Sequence, residues 1–147
     1  MLNFIINYPL STIQSKKMAT IFTRIINGEI PCYKVAENED FIAFLDIRPM
    51  VKGHALVVPK AEVDYIFDQD DATLAAMLPF SKRVAKAIEA VVPCKRCCVA
   101  VIGLEVPHTH IHLVPVNQMS DFNFRNHFAM SSAELTELAA AIAAKFE

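Results

Sequence analysis

Three histidines recur at every second position in one short stretch of the chain. His108, His110 and His112 alternate with a threonine and an isoleucine. This period of two is typical of a β-strand, in which side chains at i, i+2 and i+4 share one face. The pattern predicts a row of imidazoles, each roughly 7 Å from the next at about 3.3 Å per residue. Ile111 and Leu113 would then point into a core on the opposite face.

The chemistry of such a row is either that of a metal centre or that of a site for an anionic substrate. Burying three imidazoles costs desolvation free energy unless each ring has a polar partner, so a purely structural role is a poor explanation. Imidazoles ligate metals, attack as nucleophiles and transfer protons near neutral pH. A metal would need a third ligand, which His54 or Glu105 could supply.

Composition indicates one globular domain and excludes several classes of partner. The 147 residues are 54% hydrophobic and 20% charged, with a formal net charge of −2. This balance excludes a disordered protein. No basic run indicates nucleic acid or an anionic membrane surface, and no apolar run is long enough to span a bilayer. We expect no cofactor.

The cysteines and the N-terminus indicate where the protein works. Cys94 and Cys97 have the C-x-x-C spacing, but no second pair is present to complete a structural zinc site. Free thiols and the lack of a secretory signal predict a reducing compartment, the cytoplasm. We expect residues 1–17 to form an extension, partly disordered or lying on the domain or a partner chain, before a single domain over residues 18–147.

Periodicity and capping residues predict three helices and five strands. Short hairpin connections favour an antiparallel sheet with the helices on one side, an α+β fold. Pro79 falls inside the second helix, where it could kink it, and Pro115 is expected to end the last strand. Helices are predicted at 21–27, 72–91 and 132–145, and strands at 33–37, 41–45, 54–59, 97–102 and 108–114.

With these elements in place, the chain resembles the histidine triad superfamily, whose signature is H-φ-H-φ-H-φ-φ with φ apolar. The resemblance covers about residues 18–117 and is closest to the Hint-type nucleoside phosphoramidate hydrolases. Besides the triad, it rests on five ordered segments: Thr20-Ile21-Phe22, Ile25-Ile26, Gly28-Glu29-Ile30-Pro31, residues 41–49 and residues 53–60.

The resemblance implies a fold, an assembly and a reaction. The fold is a five-stranded antiparallel sheet with helices, and two subunits join their sheets into ten strands as a homodimer. The substrate is a purine nucleotide or nucleotide conjugate, and the reaction is transfer of the nucleotidyl group to water at the α-phosphate. His110 matches the nucleophile, which forms a covalent nucleotidyl-histidine.

The other histidines match supporting positions in that family. The backbone carbonyl of His108 is the expected partner of one His110 nitrogen, which fixes the tautomer of the attacking ring. His112 can donate a proton to the phosphate oxygens and the leaving group. His54 matches a fourth histidine, which is expected to order the triad and to support His108.

Residues of the N-terminal half match the nucleoside pocket. A carboxylate at Asp46 can accept hydrogen bonds from two vicinal ribose hydroxyls. Four apolar residues match the walls that grip the base, and such a sandwich recognises a purine face more than its edge. These wall residues are Phe22, Ile25, Phe44 and Ile47.

The loop before the triad departs from the family pattern. Gly103 is retained, but Leu104 and Glu105 replace the usual polar pair, and a carboxylate repels phosphate unless it turns away. Backbone amides of Glu105 and Val106 could still bind phosphate. Two alternatives therefore stay open: hydrolysis of dinucleoside polyphosphates, and a weakly catalytic nucleotide-binding interaction protein.

Overall fold

All five predicted strands are present, and they form one antiparallel sheet. The computed structural model describes residues 18–147, and the expected extension over residues 1–17 lies outside the described residues. Neighbouring strands follow the order β1-β2-β3-β5-β4. The strands are β1 (Lys34–Glu37), β2 (Phe41–Leu45), β3 (Ala55–Pro59), β4 (Arg96–Ala100) and β5 (Ile111–Val116).

Local capping explains where the helices begin. The Thr20 side chain accepts from the Thr23 N–H at the start of α1 (Ile21–Ile26). Asp70 caps α2 (Asp71–Val91) in the same way. A reciprocal capping box opens α3 (Ser132–Ala143). Helix α2 continues through Pro79 and ends just before a second proline.

The two faces of the sheet bury different sets of side chains. Helices α2 and α3 pack against a core that includes Phe41, Leu45 and Leu113. The alternate residues of β2 and β3 point the other way and pack with Phe22 of α1. The expectation that the helices share one side therefore holds for α2 and α3 and is wrong for α1, which covers the histidine face.

The histidine stretch is only partly strand. Strand β5 begins at Ile111, and the Thr109 N–H donates instead to the Val63 carbonyl at 2.7 Å, outside the sheet. The prediction that Pro115 ends the strand is wrong. Because Lys95 N donates to Val116 O, the nitrogen of Pro115 faces β3, which does not extend that far. No ladder hydrogen bond is lost.

Gly53 fixes the entry to β3, immediately before His54. Its φ is +92°, and a Cβ at this position would lie 2.9 Å from Val92 Cγ2 and 3.2 Å from Pro115 Cγ. Close packing and a left-handed backbone both require glycine at this buried turn. Gly28, by contrast, has φ +75° with open space around it.

Substituting Gly53→Ala should therefore destabilise the fold by about 2–4 kcal/mol, combining left-handed strain with overpacking. Gly28→Ala is the matched control, because it carries the strain alone and should cost about 1–2 kcal/mol. Urea denaturation measures both. Equal losses in the two variants would contradict the close packing described for Gly53.

Candidate active site

A cleft of about 570 Å³ opens on the sheet face opposite α2 and α3. Of the residues that the sequence assigned to the site, all but His108 and Gly103 line it. The cleft therefore brings together residues from α1, β2, the loop before β5 and β5 itself. The predicted residues that line it are Phe22, Ile25, Phe44, Asp46, Ile47, His54, Glu105, Val106, His110 and His112.

His110 is held in one tautomer by the backbone. Its Nδ1 lies 2.7 Å from the carbonyl oxygen of His108. A carbonyl oxygen only accepts, so Nδ1 carries the proton, and in the neutral ring Nε2 keeps its lone pair. Phe22 packs edge-on against the ring, with centroids 5.0 Å apart. The arrangement suits nucleophilic attack through Nε2.

His112 is oriented by a chain of hydrogen bonds that starts at the backbone. The Met50 N–H donates to His54 Nδ1 at 3.1 Å. The His54 proton must then lie on Nε2, which donates to His112 Nδ1 at 3.0 Å. His112 consequently carries its own proton on Nε2, where it can be donated to a ligand in the cleft.

Burial keeps these two rings neutral. Burial, together with the neighbouring His110 and His54, lowers the pKa of His112 to about 3. Burial also lowers the pKa of His54, against the attraction of the Asp46 carboxylate. One oxygen of that carboxylate lies 3.7 Å from His54 Nε2. Both rings are therefore neutral at pH 7.

The interpretation that His54 supports His108 is wrong, and the strand register explains why. Antiparallel pairing of β3 with β5 places Ala55 opposite Leu113 and Val57 opposite Ile111. His54, immediately before β3, therefore reaches His112. At the other end of β3 the carbonyl of Pro59 contacts the His108 side chain.

His108 lies behind the cleft and is fully buried. Its Nε2 lies 2.7 Å from the Pro59 carbonyl, to which it donates. Its Nδ1 is 2.9 Å from the Thr20 hydroxyl. The prediction of three imidazoles in a row on one face is therefore wrong. The His110 and His112 rings lie in the cleft with centroids 4.9 Å apart, and the His108 ring is directed towards α1.

The nucleoside side of the cleft combines one carboxylate with apolar walls. Asp46 Oδ1 accepts from the Arg48 N–H at 2.8 Å, and its side chain is 22% exposed. Phe22 and Phe44 meet edge to face, with centroids 5.7 Å apart. Ile47 is 67% exposed, so it offers free apolar surface to a ligand.

Sequence reasoning missed the opposite wall, which comes from the loop after β5. The Phe124 ring packs edge-on against His112 with centroids 5.1 Å apart. The Phe128 N–H donates to the Pro49 carbonyl at 2.8 Å and ties this loop to the loop after β2. In the sequence, the loop after β5 is marked only by several aromatic and basic residues close together. The wall comprises residues 124–127, and Arg48 also lines the cleft.

One cluster could hold a metal within residues 18–147, formed by Asp46, His54 and His112, whose ligand atoms lie within 4.8 Å of one another. Glu105, proposed as a ligand, is exposed and outside this cluster. Ligation through His54 Nε2 would move its proton to Nδ1, which already faces the Met50 N–H. The donor set therefore fits a metal poorly.

The C-x-x-C cysteines also fit a reactive site poorly. All four cysteines are free, and burial raises the pKa of Cys97 to about 12, which disfavours the thiolate. No helix among the described residues is long and apolar enough to cross a membrane.

The depressed pKa of His112 predicts how stability depends on pH. The unfolded state binds more protons between the ordinary pKa of 6.5 and the folded value of about 3. The free energy of unfolding should fall as pH falls through this window. His112 alone should remove roughly 2 kcal/mol between pH 7 and pH 5.

Urea denaturation of His112→Asn at both pH values should recover most of that difference. His127→Asn, which alters an exposed histidine, should keep the wild-type loss. An unchanged pH dependence in His112→Asn would contradict the assignment of a neutral, buried ring.

Comparison with known proteins identifies the family of this chain. Residues 27–119 match the HIT domain. The chain is 48% identical over 71 residues to an adenosine 5'-monophosphoramidase of Schizosaccharomyces pombe, covering 48% of this chain and 53% of that protein. It is 39% identical over 98 residues to the Saccharomyces cerevisiae adenosine 5'-monophosphoramidase, covering 66% and 62%.

A solved structure shares the whole fold. A zinc-bound histidine triad family protein from Mycobacterium smegmatis superposes with a TM-score of 0.75 at 27% identity, covering 88% of this chain and 94% of that one. The family match spans more than half of the sequence, including the triad. The chain therefore belongs to the histidine triad (HIT) superfamily, in its Hint-like branch.

Proposed function

We propose that this protein hydrolyses purine nucleoside phosphoramidates at the α-phosphorus and releases a nucleoside monophosphate such as AMP. The observation that carries the proposal is the hydrogen bond from His110 Nδ1 to the His108 carbonyl, which leaves Nε2 as the nucleophilic nitrogen. The two yeast relatives, both adenosine 5'-monophosphoramidases, support the substrate class, although the chain spans only 53% and 62% of their lengths.

In the first step the lone pair of His110 Nε2 attacks the α-phosphorus. The P–N bond to the amine breaks, and the amine leaves with its electron pair. The amine takes up one proton from solvent, while the neutral His112 keeps its Nε2–H and donates a hydrogen bond from it to a phosphate oxygen. The product is a nucleotidyl-histidine, whose positive imidazole is stabilised by the His108 carbonyl at Nδ1.

In the second step water replaces the histidine on phosphorus. The attacking water gives up one proton to solvent, which balances the proton taken up in the first step, and His112 Nε2–H again donates to a phosphate oxygen. The P–N bond to His110 breaks and its electron pair returns to Nε2. The free enzyme is restored with both rings neutral, as their burial favours.

Binding would use the two sides of the cleft. Asp46 has one carboxylate oxygen held by the Arg48 amide and can accept from the ribose hydroxyls through the other. The apolar walls, with the exposed Ile47, would enclose the purine face. Glu105 is exposed, so its side chain can turn to solvent while its amide and that of Val106 face the phosphate.

We also propose a homodimer, joined along β4. This strand pairs on one side only and ends the sheet. Val99 on it is 54% exposed and Ile102 beyond it is 49% exposed. An apolar edge of this kind favours pairing with a second copy into a ten-stranded sheet. A monomeric mass in analytical ultracentrifugation would exclude it.

We also propose that the protein works in the reducing cytoplasm, which its free cysteines fit.

A dinucleoside polyphosphate is a second candidate substrate, favoured by two arginines that line the cleft. Arg48 and Arg125 both line the cleft, as does Phe124. Guanidinium groups bind phosphates through paired hydrogen bonds, and a nucleotide leaving group would bring such phosphates. A binding protein that holds AMP without turnover remains the alternative from another class.

His110→Ala should abolish release of AMP from adenosine 5'-phosphoramidate, with a loss of at least about 10³-fold in kcat because the nucleophile is gone. The variant should still bind AMP, since the ribose and base contacts are intact. EDTA should leave wild-type activity unchanged. Near-normal turnover in His110→Ala, or loss of activity with EDTA, would contradict the mechanism.

The leaving group can be tested by comparing kcat/KM for adenosine 5'-phosphoramidate and a diadenosine polyphosphate. We expect the phosphoramidate to be the better substrate. Arg125→Gln should reduce polyphosphate turnover more, by about tenfold, because it removes a charged hydrogen-bond donor. Arg83→Gln, on α2 behind the sheet, should change neither. A preference for the polyphosphate in wild type would reverse the assignment.

A further inference from the structure

One row of paired residues runs across the sheet beneath the cleft, from the nucleoside side to the opposite edge. Phe44 of β2 pairs with Leu56 of β3, which pairs with His112 of β5. His112 pairs in turn with Ala100 of β4, the strand at the sheet edge. Residues paired in this way share one face of the sheet, and neighbouring strands lie about 4.8 Å apart. The row therefore gives a direction to any ligand that lies across it.

That direction assigns the parts of a substrate to different strands. The ribose and the leaving group are separate substituents on the α-phosphorus. With the nucleoside against Phe44 and the phosphate above the histidines of β5, the leaving group lies on the β4 side of the cleft.

The rim of the cleft on that side is the loop that follows β4, residues 102–106, called here the rim loop. Ile102 lies just beyond the end of β4 and lines the cleft. Glu105 and Val106 line the cleft as the chain returns towards the histidines. Val106 also packs against the apolar cluster beneath α1. The rim loop therefore borders the space into which the leaving group extends.

Glu105 brings an unpaired carboxylate to this rim. Its side chain is exposed, and it forms no hydrogen bond or ion pair with any residue in the described range 18–147. The other carboxylate that lines the cleft, that of Asp46, accepts from the Arg48 amide and lies on the nucleoside side. Glu105 therefore supplies a negative charge that no neighbouring group of the protein neutralises.

This charge acts in opposite senses on two parts of a substrate. It repels the α-phosphate, and it attracts a positive charge carried by the leaving group. The repulsion is the same for every substrate that contains the α-phosphate. Because specificity is a difference between affinities, only the attraction distinguishes one leaving group from another.

The cations that line the cleft belong to other segments. Arg48 comes from the loop after β2, and Arg125 adjoins Phe124, whose ring contacts His112. Guanidinium groups bind phosphates, but a phosphoramidate carries no phosphate beyond the α-position. For this substrate class the rim loop presents the charge that the leaving group meets.

We propose that Glu105 is a specificity-determining residue that favours phosphoramidates whose leaving amine carries a second positive charge, as an alkyl diamine does. The inference rests on the proposed function, because it names the leaving-group class of that reaction. Exposed ion pairs are weak, so the contribution of Glu105 to kcat/KM for a cationic leaving group is about two- to fivefold.

The test uses three adenosine 5'-phosphoramidates that differ only at the far end of the alkyl chain. Their leaving groups are 1,4-diaminobutane, butylamine and 4-aminobutyrate, which end in an ammonium, a methyl and a carboxylate group. Glu105→Gln should lower the ratio of kcat/KM for the cationic and neutral compounds by about two- to fivefold. It should raise the ratio for the anionic and neutral compounds. Differences in intrinsic leaving ability cancel, because each ratio is compared between two enzymes.

Two further results separate loss of the charge from general damage to the site. Glu105→Gln should keep or increase turnover of the neutral compound, since repulsion of the phosphate is removed. The selectivity of the wild type should weaken as salt rises from about 50 mM to about 500 mM, because the Debye length shortens. Glu137→Gln, an exposed position on α3 behind the sheet, is the matched charge control and should keep the wild-type ratios.

The outcomes keep the two proposals apart. If the wild type turns over and both ratios are unchanged in Glu105→Gln, the specificity role fails and the proposed function stands. If the wild type releases AMP from none of the compounds, the proposed function fails. The three compounds are then stable ligands, and the ratios of their Kd values in the wild type and in Glu105→Gln decide the charge preference. Equal Kd ratios in the two proteins would overturn the inference.

Discussion

The hydrogen bond from His110 Nδ1 to the His108 carbonyl is the interaction on which the rest of the site depends. At 2.7 Å, it determines which nitrogen of His110 faces the cleft with a lone pair. It joins a side chain to the backbone only two residues earlier, so its geometry is set by how that backbone is held. The contacts of His108 with Pro59 and Thr20 supply this support.

The register of β3 against β5 determines the order of the remaining contacts. Because the two strands are antiparallel, the start of β3 meets His112 and its end meets the residues before β5. Strand β3 and the residue before it therefore support His112 through His54 and, through Pro59, the His108 that orients the nucleophile. Gly53 makes this possible, since its turn leads into β3 where a side chain would collide with Val92 and Pro115.

The sequence predicts the parts of this arrangement that depend on local pattern. Alternation, capping residues and motif spacing identify the strands, the helix starts and ten of the cleft residues. Partners brought together by long-range pairing are not encoded locally. The role of His54, the tolerance of Pro115 within β5 and the wall around Phe124 all depend on contacts between distant segments, and the aperiodic loop that carries Phe124 gives no pattern to follow.

Rapid quenching followed by mass spectrometry tests the central claim most directly. During turnover of adenosine 5'-phosphoramidate, the wild type should carry one nucleotidyl group on the peptide that contains His110, and His110→Ala should carry none. Substrate consumption without any adduct, or an adduct on a different residue, would contradict His110 as the nucleophile.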